Sequence, residues 1–248
     1  MESSEPDEAS EPSEREAAVG SAVREVRERI ARAASRVGRD PADVTLIAVT
    51  KTHPMEDALA AAHAGVRDLG ENRVLDLVAK ITALRAASAE VVQPRWHFLG
   101  PLQSGTVRHV ADAADVVHSA EPGTAIERLA RRCALAERVL DVLIEVDFTG
   151  VRHGVAPAEL FGFADRLASM PGVRLIGMMT MAPVTADAEG ARPFFVRLGA
   201  LSERLRQDHR DAGELSMGMS FDYEVGVEEG ATMVRVGTAL FGPRQPRG

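Results

Sequence analysis

Apolar and polar positions along the chain follow two alternating periods. Val19, Val23, Val26, Ile30 and Val37 recur at helical spacing, which predicts an amphipathic helix over residues 16–37, ended by the turn-forming "GRDPAD". Beyond it, short apolar runs predict strands at 45–51, 66–71, 95–100, 115–120, 141–148, 173–181, 214–219 and 233–242. Longer helical patterns such as "PMEDALAAAHAG" and "GTAIERLARRCALAERV" separate them. Eight strands, seven intervening helices and one leading helix predict a parallel α/β fold. Eight such repeats in roughly 200 residues favour a closed (β/α)8 TIM-type barrel over an open sheet. No low-complexity linker interrupts residues 40–242, so 19–248 is expected to be a single domain.

Composition changes this picture first at the N-terminus. Residues 1–18 hold seven acids and one arginine, and no large apolar side chain except Met1, so a disordered acidic tail is expected there. That segment carries −6 of the total −8 charge, leaving −2 for the remainder. Such a balance offers no basic field for nucleic acid or anionic lipid. No apolar run reaches bilayer-spanning length and the acidic start lacks a signal-peptide layout, so the expected protein is soluble and cytoplasmic. The single cysteine, Cys133, falls in a helical pattern and reads as a small core residue.

The active-site face of a barrel is built at the C-terminal strand ends. Here those ends carry Lys51, then Gly70, Glu71 and Asn72, then His97, then His118 and Ser119, then Asp147, Met179 and Thr180. The last two ends bring Gly218, Met219 and Ser220, and Arg235, Gly237 and Thr238. Lys51 is conspicuous because only two of the 29 basic residues are lysines. Arginine serves salt bridges and phosphate contacts as well, but only lysine can lose a proton near neutrality and form a Schiff base. Lys80, within "VLDLVAKITAL", reads as a surface lysine whose stem lies along apolar neighbours; the same bland role stays open for Lys51.

Ser220 falls at an N-cap position before Asp222 and Glu224, and "RVGTALFG" offers Gly237 and Thr238, so these two adjacent strand ends suit a phosphate. Ser220 as a plain cap and Gly237 as a plain turn remain the alternatives. Arg235 at an interior strand position needs a ligand or a salt bridge to a neighbouring strand. His97 and His118 lack any metal-ligand spacing and are expected to be satisfied, partly buried histidines.

The blocks "LIAVTKTHP", "LGENRVLDLVAKI", "RWHFLGPLQS", "VVHSAE", "LIGMMTMAP" and "LSMGMSFDYEVGVEEGATMVRVGTALFG" resemble, in order and spacing, the pyridoxal phosphate homeostasis protein family over about residues 20–243. The resemblance implies a single barrel similar to the N-terminal domain of alanine racemase, fold type III of pyridoxal-phosphate proteins. It implies that Lys51 forms the internal aldimine and that Asn72 lies near the cofactor ring. Ser220, Gly237 and Thr238 would cradle the phosphate, and Arg235 would face the pyridine nitrogen. An arginine there stays charged and cannot accept a hydrogen bond, so it keeps that nitrogen unprotonated and weakens the ring as an electron sink.

The chain departs from the family pattern in two loops. It has "GPLQSGT" where members often show "GHLQSNK", and "VDFTGVRHG" in place of a longer segment, with Asp147 and Arg152 standing for the usual asparagine and lysine. These departures are expected to leave the cradle intact and to affect surface contacts.

Three functions fit: a carrier or buffer of pyridoxal 5'-phosphate with little or no catalysis, a pyridoxal-phosphate-dependent amino-acid racemase, and a generic phosphate-binding barrel such as a Schiff-base aldolase. Two-base racemisation needs an acid/base on each face of the α-carbon. The chain stops at residue 248, just after the last strand, and its one tyrosine, Tyr223, follows the phosphate motif, so the racemase's second domain and partner-subunit base are not expected. A monomer is expected, with apo forms of pyridoxal-phosphate enzymes as candidate recipients of the cofactor.

Overall fold

A computed structural model describes residues 13–87 and 92–243. The strands are β1 (Thr45–Val49), β2 (Asp68–Glu71), β3 (Arg95–Phe98), β4 (Val116–Ala120), β5 (Leu140–Glu145), β6 (Val173–Met179), β7 (Glu214–Met219) and β8 (Met233–Val236). All pair in parallel and in chain order, and β8 returns to β1 through Thr45 opposite Met233 and Ile47 opposite Arg235. The protein is a closed (β/α)8 barrel. Its strands are near-continuous apolar runs because both faces of a parallel sheet are covered. Ile47, Val116, Leu143, Ile176, Met179 and Met233 pack together as one cluster, separate from the larger core that includes the helices' buried faces.

Helices α2 (Met55–His63), α3 (Val74–Ala87), α4 (Val107–Ala113), α5 (Thr124–Leu135), α6 (Leu160–Ala168), α7 (Arg192–Asp208) and α8 (Tyr223–Glu228) follow the first seven strands in turn. The expected eighth strand stops at Val236, and the apolar "TALF" that extended it forms a short helix, α9 (Thr238–Phe241). The leading helix α1 (Glu14–Arg36) packs on α2, α8 and α9, the helices beside the β8–β1 seam.

The expected tail boundary at residue 18 moves. Residues 1–12 lie outside the described residues, but α1 already begins at Glu14. "SERE" is a capping box: the Glu16 amide donates to Ser13 Oγ (3.2 Å), and the Ser13 amide donates to Glu16 Oε2 (2.8 Å). Arg15 then donates two hydrogen bonds to the buried Asp57 carboxylate, at 2.6 and 2.7 Å, and a third to the Phe241 carbonyl at 3.0 Å. Acid-rich composition hid a helix start that is anchored to the barrel.

Candidate functional site

The C-terminal strand ends enclose a cavity of about 440 Å³, a size suited to a small cofactor. Lys51, Asn72, Ser220, Arg235, Gly237 and Thr238 all line it. Its apolar walls are Val49, Leu99, Met179, Met181, Met219 and Phe221. The structure thus brings these six residues to one mouth.

Lys51 stands two residues beyond β1, in a turn whose next residue, Thr52, adopts φ 65°. A β-branched residue in the left-handed region is strained, so the surroundings must hold this turn. They do so through the residue before it. The Thr50 amide donates to the Gly70 carbonyl (2.9 Å) and its hydroxyl to Glu71 Oε1 (2.8 Å). The Lys80 ammonium donates to the Thr50 carbonyl (2.7 Å) and pairs with Glu71. Lys80 is therefore not a surface lysine: it is buried, because Glu71 is wholly buried at the end of β2 and needs a cation beside it.

Asn72 follows Glu71, and its carbonyl presses on Gly100; a Cβ at that glycine would sit 2.1 Å from Asn72 O. Only glycine lets the loop after β3 lie this close to the site. Pro101 of the altered "GPLQSGT" loop also lines the cavity, so that departure touches the site as well as the surface.

Ser220 does not cap the helix that follows it. Asp222 occupies the N-cap of α8, and Ser220 instead reaches the start of α9. Its Oγ accepts from the Gly237 amide (3.1 Å) and the Ala239 amide (3.3 Å). A register shift between Ser216 and Met219, with Gly218 at φ 91°, marks where β7 leaves regular pairing before Ser220. A side chain at Gly218 would meet the Tyr223 backbone at 2.8 Å.

Arg235 is buried in β8, and among the described residues its partners are a hydroxyl and a carbonyl rather than a carboxylate. It donates to Ser216 Oγ at 2.5 Å and to the Thr180 carbonyl at 2.9 Å. Burial lowers its pKa to about 10, against the pull of Asp222 and Glu145, so the guanidinium stays charged at neutral pH.

The comparisons with known proteins agree with this fold. The family described as alanine racemase, N-terminal domain, matches residues 22–245. A pyridoxal phosphate homeostasis protein of Aquifex aeolicus is 36% identical over 223 residues, covering 89% of this chain and 96% of the relative. The chain belongs to the pyridoxal phosphate homeostasis protein family. Among solved structures, PipY of Synechococcus elongatus with PLP bound aligns at a TM-score of 0.76 and 35% identity, over 88% of this chain and all of that one (100%). An unknown protein from Bifidobacterium adolescentis aligns at 0.86 and 31% identity, over 93% and 97%.

In this pyridoxal phosphate homeostasis family member, two polar groups, His53 and Glu145, escaped the sequence. His53 lines it, stacks near Phe241 and pairs with Asp57 at 3.2 Å, while burial lowers its pKa. Glu145 closes β5, and burial raises its carboxyl to about 7. Asp147, the expected end of that strand, instead holds the following loop by accepting from the Thr149 and Arg152 amides at 2.8 and 3.0 Å. His97 and His118 are buried and hydrogen-bonded to one another at 2.8 Å. Among the described residues no group of three or more histidine, cysteine or acidic side chains could hold a metal ion, and no helix is long and apolar enough to cross a membrane.

Proposed function

We propose that this protein binds pyridoxal 5'-phosphate in the cavity and carries or buffers it, with little or no catalysis. The observation that carries this proposal is the donor set: one lysine, one buried arginine and two hydroxyl side chains around an apolar slot of about 440 Å³. The residues fit the group. Apolar walls suit a flat ring, and the Gly237 and Ala239 amides already gather around an oxygen acceptor, Ser220 Oγ. Because that oxygen accepts from both amides, its own hydrogen remains available for a phosphate oxygen.

When bound, pyridoxal phosphate supplies an aldehyde carbon open to attack by an amine. Lys51 would supply the amine, Ser220 and Thr238 would donate to the phosphate, and Asn72 would lie beside the ring. Arg235 presents N–H donors and no acceptor to the ring nitrogen, which disfavours the electron withdrawal that amino-acid chemistry uses. A carrier would hand the cofactor to apo forms of enzymes that use it, and mixing the loaded protein with one such apo-enzyme tests that step.

The direct test is an absorption spectrum of the purified protein with pyridoxal phosphate, before and after borohydride, followed by peptide mapping. The expected result is a yellow protein whose band disappears on reduction and whose label sits on Lys51. A label on Lys80, or none, sinks the assignment.

A further inference from the structure

A line of side chains crosses the barrel interior beneath the cavity. Asp68 begins β2, His97 lies in β3, His118 in β4, Ser216 in β7 and Arg235 in β8. The contacts are Asp68 Oδ1 to His97 Nε2 at 2.9 Å, His97 Nδ1 to His118 Nε2 at 2.8 Å, His118 Nδ1 to Ser216 Oγ at 2.9 Å, and Ser216 Oγ to Arg235 Nη1 at 2.5 Å. His97, His118 and Ser216 are wholly buried, and the Asp68 side chain is only 17% exposed.

The two ends determine where each hydrogen lies. A guanidinium can only donate, so Ser216 Oγ accepts from Arg235. A carboxylate can only accept, so His97 carries its hydrogen on Nε2 and leaves Nδ1 bare. His118 then donates to His97 from Nε2 and accepts at Nδ1, and the single Ser216 hydrogen points to His118. Every donation runs one way, from Arg235 to Asp68, with both imidazoles neutral. Burial lowers the pKa of both histidines, His118 further with His97 and Arg235 beside it, which agrees with neutral rings.

We propose that Asp68, His97, His118 and Ser216 form a positioning relay that fixes Arg235 as a charged donor at the cavity wall. His118 acts through Ser216. By taking the Ser216 hydrogen, it leaves only lone pairs for the guanidinium, while the Thr180 carbonyl holds the other terminal nitrogen. The relay thereby sets what a bound ring nitrogen meets, an assignment that rests on the pyridoxal phosphate proposal.

The test compares wild type, His118→Leu, His118→Gln and Ser216→Ala. Binding is measured for pyridoxal phosphate and for its 1-deaza analogue, in which C–H replaces the ring nitrogen. Loss of Arg235's alignment is expected to weaken pyridoxal phosphate binding about tenfold in His118→Leu and Ser216→Ala, roughly one charge-assisted hydrogen bond, and the deaza compound by less than about twofold. His118→Gln, whose amide accepts from Ser216 and donates to His97, is expected to restore most of the loss. In the ligand-free protein, nitrogen-15 NMR is expected to show both imidazoles neutral with hydrogen on Nε2. Equal losses for the two compounds, no loss in either variant, or hydrogen on His118 Nδ1 overturns the relay. If His118→Leu fails to fold, Ser216→Ala and the NMR measurement decide. A wild type that binds neither compound overturns the pyridoxal phosphate proposal instead, and the tautomers still decide the relay.

Discussion

Replacing Glu145 with glutamine should stabilise the protein at alkaline pH and not at acid pH. The Glu145 carboxyl ends β5 at 6% exposure, and burial outweighs the attraction of Arg235, His153 and Arg152; Glu121 adds repulsion. Its pKa rises from an ordinary 4.5 to about 7. Between those values the folded protein keeps a proton that the unfolded chain has released. Stability therefore falls as pH rises through this window, and above about 7 the full cost remains. At about 1.4 kcal/mol per pH unit, that cost is about 3 kcal/mol. Glutamine resembles the protonated acid and cannot ionise, so Glu145→Gln should match wild type near pH 4.5 and exceed it by about 3 kcal/mol at pH 8. Urea unfolding of both ligand-free proteins at pH 4.5, 6 and 8 measures this. An advantage that does not change with pH, or a less stable variant at pH 8, refutes the reasoning.

Ser220→Ala and Thr238→Ala should each weaken pyridoxal phosphate binding by about 1.5–3 kcal/mol, roughly ten- to a hundredfold, while leaving the borohydride label on Lys51. Titration calorimetry decides, and wild-type affinity in both variants would move the phosphate elsewhere. Arg15→Ala strips two donors from an Asp57 side chain that is only 2% exposed, and should cost about 1–2 kcal/mol, a few degrees of melting temperature. Deleting residues 1–15 should do the same, and an unchanged melting temperature for either protein would show that the α1 start contributes nothing. The loaded protein, incubated with L-alanine and other L-amino acids in deuterated water, should accumulate D-enantiomer at well under about 1 turnover per second. A faster rate would promote the racemase reading.

Much of the barrel was legible because parallel strands buried on both faces leave unbroken apolar runs, and each of the eight runs overlaps an observed strand. The errors fall at the ends. "VRVGTALFG" stays apolar while the backbone turns from β8 into α9, so no change in hydrophobicity marks the switch at Gly237. "SERE" was covered by the acids around it, although S-x-x-E is itself a helix-start signal. Lys51 stood out through composition, and Arg235 through the cost of a charge inside a strand. Lys80 was misjudged because helical spacing does not reveal a buried carboxylate on the neighbouring strand.

The relay shows why some of the site could not be read this way. Local pattern registers the cost of a polar residue in an apolar strand, and His97, His118, Ser216 and Arg235 each display that cost. It carries nothing about the partner that offsets it. His118 and Ser216 are 98 positions apart and meet only because the barrel closes, bringing β7 across the interior from β4. Desolvating any one of these groups alone would cost several kcal/mol, so each is tolerable only with the next in place. Closure of the sheet is therefore what completes the hydrogen-bond chain. The residue at its upper end, Arg235, is held by groups that no local spacing connects to it.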